Sequence, residues 1–250
     1  MSYEPRFYRN RMGENRFHSF MVGYKDSDLW IGIDKASFHP DMPAFAQKKL
    51  IELRKELEQY ILTHPEFASS YTPIDTNAAS PQIAIQMSAA GKIAETGPMA
   101  AVAGAFSEFL GKAIQHKFEV KEIVIENGGD IYLLLEQNMI LSVYAGESSL
   151  SGKIGIEIPA KETPLGVCTS AGTVGPSTSF GNADAVMVAA KNTALADALA
   201  TSIGNKIKSA NDINPTLELM KTNKSIKSLL IICENKMGIT GDFELRLCKI

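Results

Sequence analysis

Apolar and polar positions alternate in two short runs near the start of the chain. Phe17, Ser19 and Met21 interleave with His18, Phe20 and Val22; Lys25-Asp26-Ser27-Asp28 makes a polar turn, and Leu29-Trp30-Ile31-Gly32-Ile33 is a second apolar run. Two such runs about a turn predict a β-hairpin. Pro40 and Pro43 follow. Leu50, Leu53, Leu57, Tyr60 and Ile61 then recur at helical spacing, with Lys48, Lys49, Arg54, Lys55 and Glu58 on the other faces. This predicts a solvated helix with one buried stripe, ended by His64-Pro65. Residues 66–82 are rich in turn formers, among them Pro73, Asp75, Asn77, Ser80 and Pro81. Gly97-Pro98 opens a helix of small apolar residues, Met99 to Phe106, because proline suits a first helical turn.

Ile123-Val124-Ile125 and Ile131-Tyr132-Leu133-Leu134-Leu135 read as strands flanking Asn127-Gly128-Gly129-Asp130. That centre is either a tight hairpin turn or a glycine bulge that lets backbone approach a ligand, and the local pattern leaves both open. Residues 139–144, 154–158 and 184–190 are further strands, with a loop from Pro159 to Pro164. Gly166 to Asn182 is dense in Gly, Ser and Thr between two apolar strands. It reads as a plain surface loop or as a set of N–H donors for an anion. Leu195, Leu199, Ile203 and Ile207 predict a helix from about residue 193 to 208, and residues 228–233 and 243–248 are expected to form a terminal hairpin through Gly238 and Gly241. No linker or repeat divides the chain, so a single domain over residues 1–250 is expected.

Within that last helix Asp197 and Thr201 are four residues apart and share a face. Asp197 is surrounded by Ala194, Leu195, Ala196, Ala198, Leu199 and Ala200. A carboxylate in such company either turns to solvent or meets a cation. Together the two residues offer the hard oxygens that Mg²⁺ takes when phosphate oxygens complete its shell.

Composition narrows the classes. The 250 residues are 45% hydrophobic and 21% charged, which excludes general disorder. A net charge of −3 argues against a dedicated nucleic-acid binder. No stretch approaches the ~20 apolar residues of a membrane span. Arg6, Arg9, Arg11, Arg16, Glu4 and Glu14 leave no room for a signal-peptide core, so a cytoplasmic protein without membrane contact is expected. Cys168, Cys233 and Cys248 are too widely spaced for a disulfide framework or a CxxC pair, and His18, His39, His64 and His116 lack zinc spacing.

In combination, four of these segments resemble the ApbE superfamily, the FAD-dependent protein flavin transferases. Glu126-Asn127-Gly128-Gly129-Asp130-Ile131 is similar to its glycine–glycine–aspartate turn, and Ile154-Gly155-Ile156-Glu157-Ile158-Pro159 to its next strand. Thr169-Ser170-Ala171-Gly172 is similar to its Thr-Ser-Gly turn, and Ala196-Asp197-Ala198-Leu199-Ala200-Thr201 to its Ala-Asp-Ala-Leu-(Ser/Ala)-Thr helix. The resemblance is nearer still to a small cytoplasmic branch of anaerobic archaea and bacteria. That likeness rests on Tyr24 to Leu29, Gly97 to Ala105 and Gly166 to Val186.

The resemblance implies an α+β fold of ApbE type, with mixed β-sheets covered by helices. It also implies a flavin nucleotide, FAD or FMN, or another small phosphate-containing ligand. Mg²⁺ would fall to Asp197 and Thr201, and ligand contacts to Asn127, Gly128, Gly129, Asp130, Thr169, Ser170, Gly172 and Thr173. The flavin transferases carry a histidine-rich run ending in Asp-Pro-x-Thr-Gly where this chain has Thr173 to Asn182 without histidine. They also carry a Lys-Gly pair where this chain has the Gly97-Pro98 region. Cys168 is particular to the branch, whose members are associated with sulfide use in homocysteine and cysteine synthesis. This makes Cys168 a candidate catalytic persulfide carrier acting with sulfur-assimilation proteins, its thiol pKa lowered by loop N–H groups, or else a small residue ending a buried strand. A third reading is a non-catalytic assembly module, with the alanine-rich helix and open strand edges forming a homodimer.

Overall fold

The computed structural model describes Arg9, residues 16–172 and residues 180–248. Eleven strands and six α-helices are described: β1 Phe17–Tyr24, β2 Ser27–Asp34, α1 Met42–Thr63, α2 Glu66–Ser69, α3 Gln82–Ala94, α4 Val102–Phe118, β3 Ile123–Asn127, β4 Asp130–Leu134, β5 Met139–Ser142, β6 Ile154–Ile158, β7 Leu165–Ser170, β8 Ala185–Ala190, α5 Thr193–Lys206, α6 Ile213–Met220, β9 Ser228–Cys233, β10 Lys236–Gly241 and β11 Leu245–Leu247. An eight-stranded sheet runs β1-β2-β3-β4-β7-β8-β9-β10, and a three-stranded sheet runs β11-β6-β5. Every described pairing is antiparallel.

Strand alternation sorts the residues into two cores. Ile31, Ile125, Tyr132, Cys168 and Val188 face the helices, where Leu50, Leu53 and Leu57 of α1 and Leu110 of α4 meet them. Trp30, Val124, Leu133, Val167 and Met187 face the other way, against Leu141, Ile154, Ile156 and Ile158 of the small sheet. The result is three layers: helices, large sheet, small sheet. This is the α+β arrangement expected, with helices covering one face of the large sheet.

The first hairpin and the 42–63 helix form where the periodicity puts them. The Asn127–Asp130 segment is the tight hairpin and not the bulge. Asn127 pairs with Asp130 across Gly128 and Gly129, whose φ values are 69° and 102°. Two consecutive positive φ values match the twist of the flanking strands, and glycine adopts them without a Cβ clash.

Two expectations are corrected. Residues 166–170 are not loop: they belong to β7, because Gly166, Val167 and Cys168 are buried between β4 and β8. The terminal hairpin is β9–β10, turning at Glu234-Asn235, both left-handed, while 245–247 leaves to pair with β6 in the small sheet. The small-residue helix is buried in the core. Ala101 and Ala105 are fully buried, and Gly104 lies directly against α5. Among the described residues no helix is long and apolar enough to cross a membrane.

Candidate functional site

The expected residues gather where α4 and α5 cross the end of β4 and β7. Helices leave their first N–H groups without intrahelical partners, and here α4 and α5 cap one another. Asp197 Oδ2 of α5 accepts the Gly104 N–H at 2.9 Å, and the Ala103 N–H also reaches its carboxylate. In return, buried Glu108 of α4 accepts the Thr193 N–H at 2.7 Å. Gly104 makes this crossing close: a Cβ there would lie 2.5 Å from the Thr193 carbonyl oxygen and 2.9 Å from Asp197 Cβ.

The Asn127–Asp130 turn docks on the same helical end. Asn127 Nδ2 donates to the Ala103 carbonyl at 3.2 Å, and Ser107 Oγ donates to the Asp130 carbonyl at 3.0 Å. Gly129 is tied to β7 by the Thr169 N–H, 3.2 Å from its carbonyl oxygen. Asp130 stands opposite Cys168 in the β4–β7 register. Ser170 Oγ, further along β7, faces α5 at Gly204. Gly172 donates its N–H to Ala183 and packs backbone-to-backbone on Gly181, which packs in turn on the Gly204 carbonyl. Thr173 lies outside the described residues.

Burial raises the Asp197 pKa to about 7, although the N–H groups of Gly104 and Ala103 pull it down. A carboxylate held this way carries a charge that its surroundings compensate poorly. Thr201 follows one turn later, partly exposed. Among the described residues no three His, Cys, Asp or Glu side chains come together as a metal cluster. A cation here would have Asp197 and Thr201 as its protein ligands and take its other oxygens from ligand or water, which suits Mg²⁺.

Cys168 differs from expectation. It is fully buried, and Sγ lies 3.4 Å from the Thr193 carbonyl oxygen. Burial pushes the thiol pKa well up, and the charges of Asp130 and Asp197 add to this. The expected lowering is reversed because Cys168 lies in a strand between carboxylates and not at the head of a loop of N–H donors.

Further residues had no signal strong enough to find them in sequence. Asn205, one turn beyond Thr201, accepts the Phe180 N–H at 2.9 Å. The Phe180 ring lies 5.5 Å from that of Tyr71, edge to face, and both are more than half exposed. Tyr71 is placed by Gly97, whose missing Cβ lets the Ser70–Tyr71 backbone pass. At 1.5 Å per residue, Asp197 and Asn205 are about 12 Å apart along the helix. A carboxylate therefore marks one end of this face and an aromatic pair the other. The only hint in sequence was two aromatic residues within polar loops.

The contact between buried Arg9 and Glu126, 117 positions apart, likewise has no signal in the sequence. Arg9 Nε donates to Glu126 Oε2 at 2.5 Å, and Glu126 Oε1 accepts the Gly129 N–H at 2.8 Å.

The sequence pattern of the family described as AbpE bacteria matches residues 9–226. The chain belongs to that family. A UPF0280 protein of Methanocaldococcus jannaschii is 39% identical over 222 residues, covering 87% of this chain and 88% of that protein. A UPF0280 protein of Methanococcus aeolicus is 44% identical over 201 residues, covering 78% and 80%. Among solved structures, the flavin transferase ApbE from Vibrio cholerae superposes with a TM-score of 0.58 at 12% identity, covering 92% of this chain and 96% of that one. The ApbE protein from Thermotoga maritima gives 0.59 at 12%, with the same coverage. At such identities the likeness is one of fold, and this member of the AbpE bacteria family has the ApbE fold.

Proposed function

We propose that this protein binds a flavin nucleotide, FAD or FMN, or a related phosphate ligand, together with Mg²⁺ held by Asp197 and Thr201. The observation that carries the reading is the desolvated Asp197 carboxylate, raised to about 7, with a hydroxyl one turn away on the same helical face. When bound, Mg²⁺ would neutralise phosphate charge. Asp197 is oriented for this by the Gly104 N–H, Asp130 of β4 acts with it on the same Cys168, and Ser170 of β7 lies further along α5, at Gly204. Tyr71 and Phe180 offer two exposed aromatic rings at the far end of α5, either of which presents a face on which a planar heterocycle can stack. That the superposed Vibrio cholerae protein is a flavin transferase adds to this reading. It stops at binding: Thr173 to Asn182 contains no histidine, and no residue is assigned to activate an attacking threonine.

The test is a titration of the purified protein with FAD, followed by flavin fluorescence, with Mg²⁺ and with chelator. Saturable binding that depends on Mg²⁺ and disappears in Asp197→Asn and Thr201→Ala supports the reading. Absence of saturation at high micromolar FAD in both conditions overturns it.

A further inference from the structure

Glu126 and Arg9 lie on the face of the large sheet opposite the helices, away from Asp197. Glu126 pairs with Trp30, and Trp30 with Met21, so the three share that face. Arg9 is held there by several groups. Its Nε donates to Glu126 Oε2 at 2.5 Å, Nη1 to Asp28 Oδ2 at 2.9 Å and Nη2 to the Asp28 carbonyl at 2.8 Å. Both Arg9 and Glu126 are almost wholly inaccessible to water. Removing a single partner from such a pair leaves an uncompensated charge. The second oxygen of Glu126 holds the Gly129 N–H at 2.8 Å. Gly129 is the positive-φ residue immediately before Asp130, so this bond sets how the chain leaves the turn and enters β4.

We infer that Glu126, locked by Arg9 and Asp28, is the positioning residue for the Gly129–Asp130 end of the ligand site, acting through the sheet from its far side. The inference rests on the ligand reading above for its binding consequence, but not for its structural one. The fixed guanidinium fork leaves Glu126 one orientation, with Oε2 toward Arg9 and Oε1 toward Gly129. Glutamine at position 126 cannot satisfy both, because its single oxygen must choose between Arg9 and the Gly129 N–H. With methionine at position 9 the guanidinium no longer competes for the glutamine oxygen, which can then turn to the Gly129 N–H.

The experiment compares wild type, Glu126→Gln and the double variant Arg9→Met/Glu126→Gln. Two readouts are used: hydrogen exchange at the Gly129 amide in the free protein, and the FAD dissociation constant with Mg²⁺. Glu126→Gln is expected to accelerate Gly129 exchange and to weaken FAD binding, each about tenfold or more, the scale of a hydrogen bond to a charged group. The double variant is expected to restore both to within about threefold, a recovery that a purely stabilising ion pair would not give. If Glu126→Gln does not fold, Arg9→Lys, which keeps the charge and loses the fork, replaces it with the same expected direction. Unchanged Gly129 exchange in the single variant, or losses that the double variant fails to reverse, overturns the inference. If wild type fails to bind FAD, the ligand reading falls, and the exchange measurement still decides the role of Glu126.

Discussion

Asp197→Asn separates what the site does from what it costs. The Asp197 pKa is raised from 3.8 to about 7, chiefly by burial. The folded state therefore binds more protons than the unfolded state between those values, and stability falls as pH rises through this window. The shift is about three units, or about 4 kcal/mol at 1.36 kcal/mol per unit, fully incurred above pH 7 and absent below about pH 4. Asparagine resembles the protonated acid, so it removes this penalty. It also loses one of the two N–H contacts from α4, about 1 kcal/mol. The expected gain is about 3 kcal/mol at pH 8, turning into a loss of about 1 kcal/mol at pH 4, where the penalty is absent and only the lost contact remains. For a chain of this size that is a rise in Tm of roughly 5–10 °C at pH 8. Thermal melts of both proteins from pH 4 to pH 8 provide the measurement, with chelator present. Mg²⁺ with FAD should lift the wild-type Tm at pH 8 and leave the variant unmoved. A variant that melts at or below wild type at pH 8 as well as at pH 4 would show that Asp197 is a well-compensated cap and would refute the reasoning.

Glu108→Ala removes the acceptor of the buried Thr193 N–H and leaves it unpaired, while Asn192 still caps α5 through the Leu195 N–H; urea unfolding should show a loss of about 2–3 kcal/mol, and a loss under 0.5 kcal/mol would contradict the mutual capping of α4 and α5. Native protein at pH 8 should leave Cys168 unreacted toward a thiol reagent until it unfolds, with partly exposed Cys248 labelled first; mass spectrometry of digested peptides checks the order. Tyr71→Ala and Phe180→Ala should each weaken FAD binding about three- to tenfold with little change in Tm, since both rings are exposed; unaltered titration curves would remove the aromatic pair from the site.

The elements legible in sequence were those with a single strong period. The β1–β2 hairpin alternates cleanly, and α1 and α5 carry apolar stripes at helical spacing. α3 escaped because Gln82–Ala94 follows a long turn-rich stretch and mixes Ala, Ser and Gly into a weak stripe. α6 escaped because Pro215 lies within its first turn, where proline is tolerated but reads as a breaker. The terminal hairpin was misplaced because Glu234-Asn235 is a turn without glycine. Within the site, Asp197 and Thr201 stood out as a polar pair in an alanine-rich helix. The mutual caps, the aromatic pair and the Arg9–Glu126 contact each join residues far apart in the chain, and no local pattern encodes such distances.

The packed glycines at 172, 181 and 204 differ in how much they forbid. A methyl group on Gly172 or Gly181 would collide with neighbouring carbonyl groups, whereas one on Gly204 would rest 3.5 Å from Ser170 Oγ in ordinary contact. Alanine at 204 would also gain about 1 kcal/mol of helical preference. A saturation library should accordingly record two silent columns at 172 and 181 and a permissive one at 204, so this stretch of packing against α5 is written in main-chain atoms on one side and remains open to redesign on the other.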